Sequence, residues 1–284
     1  MSPDVMIQLE GLSIRYGSFQ AVKHLDLSLY RGELFGLLGP NGAGKSSTVR
    51  VLIGQRKPSA GKATVAGFDV VREWSKIKPL FGYVPDRDNH FDEFTGRRNL
   101  LFFAGLYGVP EYRVEEALAQ VELTDSANNL VRSYSMGMRK KLLLARALLH
   151  KPPVLYLDEP TANLDVHSAS IVHRILREHV RLGGTVLLTT HNMQEVEAIC
   201  DRVGILCSGK LVALDTPLAL RQRHTERVVD TTLAGGERRV FNLDSDADRA
   251  ILADKLRDGR VGTLHTREFD FHSTFLKLTG TAFE

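Results

Sequence analysis

The sequence predicts an α/β fold in which helices connect the strands of a parallel sheet. Continuous apolar runs at residues 34–38, 154–157 and 185–189 are typical of parallel strands that are buried on both faces. A segment with helical periodicity, residues 171–180, lies between two of these runs. Because alternating strands and helices build parallel sheets through crossover connections, one large α/β domain is expected over residues 1–222.

The first thirty residues predict an antiparallel β subdomain within this domain. Apolar and polar residues alternate there, as in the LDLSL run at 25–29. This alternation is typical of short strands with one buried face.

The pattern changes between about residues 88 and 132, which we interpret as a helical insertion in the sheet. Residues 99–107 and 113–121 have helical periodicity. Another helix is predicted over 137–150, and Pro152 and Pro153 end it.

The last part of the chain, residues 223–284, predicts a small C-terminal accessory domain of α+β type. Gly235-Gly236 predicts a turn between two strands, and Ser245 is the predicted N-cap of a helix. The predicted elements are strands at 227–233 and 238–243, a helix at 245–257, a strand at 261–271 and a helix at 273–278.

Composition excludes several classes of protein. The formal net charge is only +3, so charge gives no reason to expect binding of nucleic acid. The two cysteines match no zinc or redox spacing and are expected to be reduced. We find neither a signal peptide nor about 18 consecutive apolar residues, so a membrane role is expected only through a partner chain.

A glycine-rich loop follows the first apolar run and matches the pattern G-x-x-x-x-G-K-[ST]. Glycines let such a loop close tightly, so that its N–H groups and the next helix N-terminus face a phosphate. Lys45 can reach the β and γ oxygens, and Ser46 can place its hydroxyl on Mg²⁺. The predicted nucleotide-binding residues are Gly39, Pro40, Asn41, Gly42, Ala43, Gly44, Lys45, Ser46 and Ser47.

Three further side chains are expected at the same edge of the sheet, where open α/β folds bind ligands. Asp158 and Glu159 end the second apolar run, and His191 follows the third. Asp158 is predicted to hold Mg²⁺, and Glu159 to polarise the attacking water. His191 is predicted to contact the γ-phosphate, although a lone histidine at a strand end is more often structural.

Together these motifs resemble the nucleotide-binding domain of an ATP-binding cassette (ABC) transporter over about residues 5–220. The loop and the paired acids resemble the Walker A and Walker B motifs of that family, and His191 matches its switch histidine. The resemblance implies a P-loop ABC ATPase fold, with ATP and Mg²⁺ as cofactors.

The family signature, usually Leu-Ser-Gly-Gly-Gln, is similar to residues 134–138, of sequence YSMGM. Ser135 and Gly137 are retained, and the resemblance implies that they contact the γ-phosphate held by a second copy of the chain. The alternative interpretation of Ser135 is an ordinary helix N-cap, and one hydroxyl can serve both roles.

Other family positions are matched less closely. Tyr16 matches the aromatic residue that stacks on adenine. Asp165 matches the D-loop residue that crosses the dimer interface, or it is a helix N-cap. Asp86 stands where the family usually has a glutamine that touches Mg²⁺. It can still bind the metal, but with a shorter reach.

The resemblance also implies partners. We expect a homodimer of nucleotide-binding subunits on separate transmembrane permease subunits of an ABC-2 type exporter, at the cytoplasmic face of the inner membrane. The signature and the ending at 275–280 resemble those of such subunits. Coupling is expected through the groove between the sheet and the insertion. The aromatic residues of this stretch are Phe91, Phe94, Phe102, Phe103 and Tyr107. Most aromatic residues of this kind belong to the core, but a group exposed together would form a patch for a partner to cover.

Two alternatives stay open at this point. The first is a soluble ABC ATPase that acts in assembly or as a scaffold without a membrane partner. The second is a nucleic-acid repair or translation ATPase. It is less favoured because such proteins tend to carry two cassettes or long coiled coils, whereas this chain has one cassette and no heptad run.

Overall fold

The structure is a computed structural model that describes residues 4–224, 228–266 and 275. The described residues divide into two compact units between Thr216 and Pro217, near the boundary that the sequence predicts after residue 222.

Thirteen strands lie in the described part of the chain: β1 Val5–Tyr16, β2 Phe19–Tyr30, β3 Leu34–Leu38, β4 Ala60–Val65, β5 Phe68–Asp69, β6 Phe81–Val84, β7 Val154–Asp158, β8 Thr185–Thr190, β9 Arg202–Cys207, β10 Lys210–Asp215, β11 Val228–Leu233, β12 Arg238–Asn242 and β13 Val261–Thr266.

The α-helices described are α1 Lys45–Leu52, α2 Trp74–Ile77, α3 Gly96–Tyr107, α4 Tyr112–Gln120, α5 Met136–Leu148, α6 Val166–Arg181, α7 Met193–Ile199, α8 Pro217–His224 and α9 Asp246–Arg257. Short 3₁₀ turns lie at Lys78–Leu80 and Val131–Ser133. No helix in these stretches is both long and apolar enough to cross a membrane.

A six-stranded sheet in the order β10-β9-β3-β8-β7-β6 forms the centre of the first unit. All of its pairings are parallel except that of β10 with β9. Every residue of β3, β7 and β8 is buried, as the continuous apolar runs predict. Because these strands are parallel neighbours, the segments that follow them meet at one edge.

The N-terminal strands form a second, antiparallel sheet in the order β2-β1-β4-β5. The sequence predicts several short strands here, but β1 and β2 each run for 12 residues. Register shifts on both sides of Leu12 allow pairing to continue where the alternation breaks. The buried face shares one hydrophobic core with the main sheet and with α1. This core includes Leu27 of β2, Phe35 of β3 and Val49 of α1.

The predicted insertion contains α3 and α4, which pack against each other and against α5. The Thr95 side chain caps α3 at its N-terminus, and Gly108 ends it in the left-handed conformation. A Cβ atom on Gly96 would lie 2.2 Å from the Tyr134 hydroxyl, so the start of α3 approaches the segment before α5 closely.

The second unit contains a three-stranded antiparallel sheet in the order β12-β11-β13. Helix α9 packs Leu252 against Val229 and Phe241, and the Ser245 side chain caps it as predicted. The predicted strand over 261–271 is observed to Thr266. The rest of that strand lies outside the described residues. So does the predicted helix over 273–278, except for Phe275.

Candidate functional site

The glycine-rich loop follows β3 and leads into α1, as predicted. Gly42 and Gly44 have φ values of 78° and 110°, which side-chain-bearing residues rarely adopt. A Cβ atom on Gly44 would lie 2.5 Å from the Ala21 carbonyl oxygen, and one on Gly39 would lie 2.2 Å from that of Leu206. The glycines therefore allow both the curvature of the loop and its close packing.

A cavity of about 440 Å³ lies over this loop. Most of the predicted nucleotide-binding, metal-binding and catalytic residues of the loop and the sheet edge line it, whereas Gly39 and His191 do not. The predicted residues that line it are Tyr16, Pro40, Asn41, Gly42, Ala43, Gly44, Lys45, Ser46, Ser47, Asp86, Asp158 and Glu159.

The Lys45 side chain is buried at this cavity. Its ammonium donates hydrogen bonds to the carbonyl oxygens of Gly39 (2.6 Å) and Pro40 (3.2 Å) and lies 3.7 Å from Oε1 of Glu159. Burial lowers the pKa of Lys45, and the negative charges of Glu159 and Asp158 oppose that shift. The group is a cation held at the mouth of the phosphate loop.

The buried carboxylate of Asp158 connects the loop to the end of β7. Its Oδ1 atom accepts a hydrogen bond of 3.1 Å from the Ser46 hydroxyl and another from the Thr189 hydroxyl. A hydroxyl beside a carboxylate is a set of hard oxygen donors that suits Mg²⁺, a metal that usually takes few protein ligands and binds phosphate oxygens as well. Ser46 and Asp158 therefore fit the predicted metal site.

Glu159 and His191 form a contacting pair beside Lys45. The Oε2 atom of Glu159 lies 2.9 Å from Nδ1 of His191. Glu159 has a left-handed φ of 49°, and its N–H donates to the Thr189 carbonyl oxygen at 2.9 Å. Because a non-glycine residue rarely adopts this conformation, the turn directs the carboxylate into the cavity at some cost in strain.

Asp86 lies beyond the end of β6, and its carboxylate is about half-exposed at the edge of the cavity. Its nearest cation is Lys140 of α5, whose ammonium lies 3.9 Å from Oδ1 of Asp86. The sequence analysis does not predict Lys140. Its signal in the sequence is its place at the start of a largely apolar helical segment, residues 140–149, all of which are buried in the structure.

The ring of Tyr16 also lines the cavity, and its hydroxyl lies 3.4 Å from the Ser47 hydroxyl. The Arg56 guanidinium covers the ring at 3.7 Å from the ring centroid, yet Arg56 does not line the cavity. Tyr16 is therefore packed between a cation and the cavity, an arrangement that suits stacking of a base on its other side.

Ser135, Gly137 and Asp165 do not line this cavity. The Ser135 hydroxyl accepts from the Met138 N–H (3.2 Å), and a carboxylate oxygen of Asp165 accepts from the Ser168 N–H (2.8 Å). Both are therefore N-caps, of α5 and α6. A Cβ atom on Gly137 would lie 2.7 Å from the Ser168 hydroxyl, so these two helix N-termini are adjacent.

Four of the five predicted aromatic residues form one group. Phe91 contacts Phe94, Phe102 and Phe103, with ring centroids 5.1 to 6.5 Å apart, and we call these residues the phenylalanine cluster. Phe91 and Phe102 are exposed. Tyr107 instead stacks on His150 at 4.2 Å.

A family model described as ABC transporter matches residues 22–162. A fluoroquinolones export ATP-binding protein of Mycobacterium tuberculosis is 38% identical over 281 residues, which cover 97% of this chain and 93% of that protein. A Nod factor export ATP-binding protein I of a Rhizobium species is 36% identical over 301 residues, which cover 99% of each chain.

Solved structures agree with these relatives. An ATP binding subunit of an ABC transporter superposes with a TM-score of 0.71 at 27% identity, covering 77% of this chain and 92% of that one. A dimeric ATP-binding cassette in a post-hydrolysis state, bound to ADP and Pi, superposes with a TM-score of 0.68 at 24% identity, covering 74% and 98%. The second likeness is one of fold alone.

Proposed function

The chain belongs to the ABC transporter family, and we propose that it is the ATP-binding and hydrolysing subunit that powers an ABC-2 type membrane exporter. The observation that carries the proposal is the convergence of four groups at one sheet edge. Three parallel strands bring these groups to the same site. Lys45 is at the start of α1, after the loop that follows β3, Asp158 and Glu159 are at the end of β7, and His191 follows β8.

Each of these groups has a definite task in phosphoryl transfer, where catalysis is mostly positioning and electrostatics. The loop N–H groups and Lys45 bind the β- and γ-phosphates. Glu159 accepts a proton from the attacking water, and His191 holds the Glu159 carboxylate in place. Bound Mg²⁺ supplies positive charge to the phosphates, and Ser46, Asp158 and Asp86 are the residues that would hold it.

Dimerisation is part of the proposal. Ser135, Gly137 and Asp165 lie at two adjacent helix N-termini and do not line the cavity of their own chain, so we propose that they complete the site of a second copy. In a head-to-tail homodimer, the N-terminus of α5 faces the γ-phosphate of the partner. One structural neighbour of the same fold is named as a dimeric cassette, which is compatible with a dimer here.

Separate transmembrane permease subunits are the second proposed partner. Two relatives of nearly the same length are named as export ATP-binding proteins, which supports export. The exposed phenylalanine cluster is an apolar surface that such a partner would cover. The subunit is then peripheral at the cytoplasmic face of the inner membrane. The unit that begins at Pro217 is proposed as an accessory domain.

Affinity purification of the chain from its native membrane tests the exporter assignment. We expect polytopic membrane subunits to co-purify, and the ATPase activity of the complex to respond to its cargo. A variant in which Phe91 and Phe102 are both replaced by serine should no longer co-purify with the membrane subunits but should still bind ATP. An active ATPase that never sediments with membranes would instead support the scaffold alternative.

A further inference from the structure

We propose that Lys140 is a positioning residue that connects helix α5 to the segment carrying Glu159 in its own chain, with Asp86 as its counter-ion. The inference rests on the proposed ATPase function and concerns a residue that the phosphate loop and the paired acids do not include.

The first observation is what surrounds the ammonium. Lys140 is buried, and its Nζ atom donates to the carbonyl oxygens of Glu159 at 3.2 Å and Pro85 at 3.5 Å and to that of Asp86. A lysine has three N–H donors and no acceptor, so these carbonyl groups match its full donor capacity. The side chain thereby joins the segment after β6 to the segment after β7.

The second observation is charge. An isolated buried ammonium is costly, and carbonyl groups compensate it only in part. The Asp86 carboxylate, 3.9 Å away, supplies the opposite charge. The buried lysine and this half-exposed carboxylate therefore form an ion pair.

The third observation is the conformation of Glu159. Its left-handed backbone is held from one side by the bond between its N–H and Thr189. Lys140 holds it from the other side, at the carbonyl oxygen. Since the position of the carboxylate depends on this turn, removal of Lys140 should disturb catalysis more than nucleotide binding.

The fourth observation is the helix that carries the lysine. Ser135 caps α5, and Lys140 lies within its second turn. A helix moves as a rigid element over this length, so a displacement at the Ser135 end reaches Glu159 and Asp86 directly. Contact between Ser135 and the ATP of a partner copy would therefore change the position of the Glu159 carboxylate in the chain that carries Ser135.

The test uses the full chain with Lys140→Gln, Lys140→Met and the matched control Lys141→Gln. Lys141 is the next residue of the same helix and is equally buried, but it donates to the Glu122 carbonyl oxygen, away from the site. The methionine variant is expected to fold, because the Asp86 carboxylate that it leaves without its partner is about half-exposed to solvent.

For both Lys140 variants we expect kcat for ATP to fall at least about tenfold, with the Kd of a non-hydrolysable ATP analogue within about threefold of the wild type. Lys141→Gln should stay within about twofold in both. Asp86→Asn should lower kcat by a smaller factor in the Lys140→Met background than in the wild type, because the pair is already broken. The two factors should differ by at least about threefold.

Equal losses of kcat in the Lys140 and Lys141 variants would overturn the inference, as would additive effects of Lys140→Met and Asp86→Asn. A Lys140→Met protein that loses analogue binding together with kcat would overturn it as well. A wild-type chain that neither binds the analogue nor hydrolyses ATP would instead overturn the proposed function.

Discussion

The Nδ1 atom of His191 lies 2.9 Å from Oε2 of Glu159, and Lys45 lies 3.7 Å from the other oxygen of that carboxylate. Glu159 is thus held between an imidazole and the ammonium of the phosphate loop. Under the proposed function, the His191 imidazole positions the base Glu159, whereas the Lys45 ammonium binds the phosphates.

Replacement of Glu159 by glutamine should lower kcat for ATP at least about a hundredfold, the scale of a lost general base. The Kd of ATP should change little, because glutamine has the same shape. Turnover and equilibrium binding are measured on the same preparation. Glu197→Gln, an exposed position on α7, is the matched control. Near-normal turnover in Glu159→Gln would rule out the assigned role.

Replacement of His191 by alanine should lower kcat by about tenfold to a hundredfold, because Glu159 loses the group that orients it. ATP affinity should be nearly unchanged, since Lys45 and the loop remain. Steady-state kinetics across ATP concentrations separate kcat from KM. His24→Ala, at a surface position, should behave as the wild type. A change in KM alone would show that His191 acts in binding.

Tyr16→Ala should weaken ATP binding by about fivefold to a hundredfold, since stacking of a base on an aromatic ring contributes about 1–3 kcal/mol. Tyr16→Phe keeps the ring and should cost much less. Binding of inorganic tripolyphosphate, which has no base, should be equal in all three proteins. If tripolyphosphate binding fell with ATP binding, the loss would lie in the phosphate loop instead.

Gly137→Ala should lower the free energy of unfolding by about 1–2 kcal/mol, because the new methyl group displaces the Ser168 hydroxyl from its bond to Asp165. Thermal unfolding measures this change. Adding Ser168→Ala should restore much of the stability. Under the proposed dimer, ATPase activity should stay reduced in the double variant. Full recovery of activity would assign Gly137 a packing role only.

Local patterns predicted much of this protein. The ABC ATPase fold, the family and the ATPase activity are confirmed, and Ser245, Ser135 and Asp165 are N-caps as the sequence allowed. The N-caps depend on residues close together in the chain, and the fold, family and activity were predicted from several short motifs taken together. The roles of the site residues stay predictions, although the structure brings most of them together around one cavity.

Features that depend on distant residues could not be predicted in this way. Nothing near Asp158 indicates that Thr189, on the next strand, donates to the same oxygen as Ser46. Nothing near Lys140 indicates that its contacts lie 19 to 55 positions away. The lengths of β1 and β2 were underestimated because bulges preserve pairing through a broken alternation.

The packing of Tyr16 has a consequence for which nucleotides the protein uses. The cavity wall includes Phe19 and Ala21, whose side chains have no hydrogen-bonding group, and Arg50, whose guanidinium can donate to the N7 acceptor that adenine and guanine share. Stacking recognises a flat aromatic surface but not the edge groups that distinguish adenine from guanine. GTP is therefore expected to sustain turnover to within a few-fold of ATP, and the relative abundance of purine nucleotides in the cell would decide which one drives the cycle.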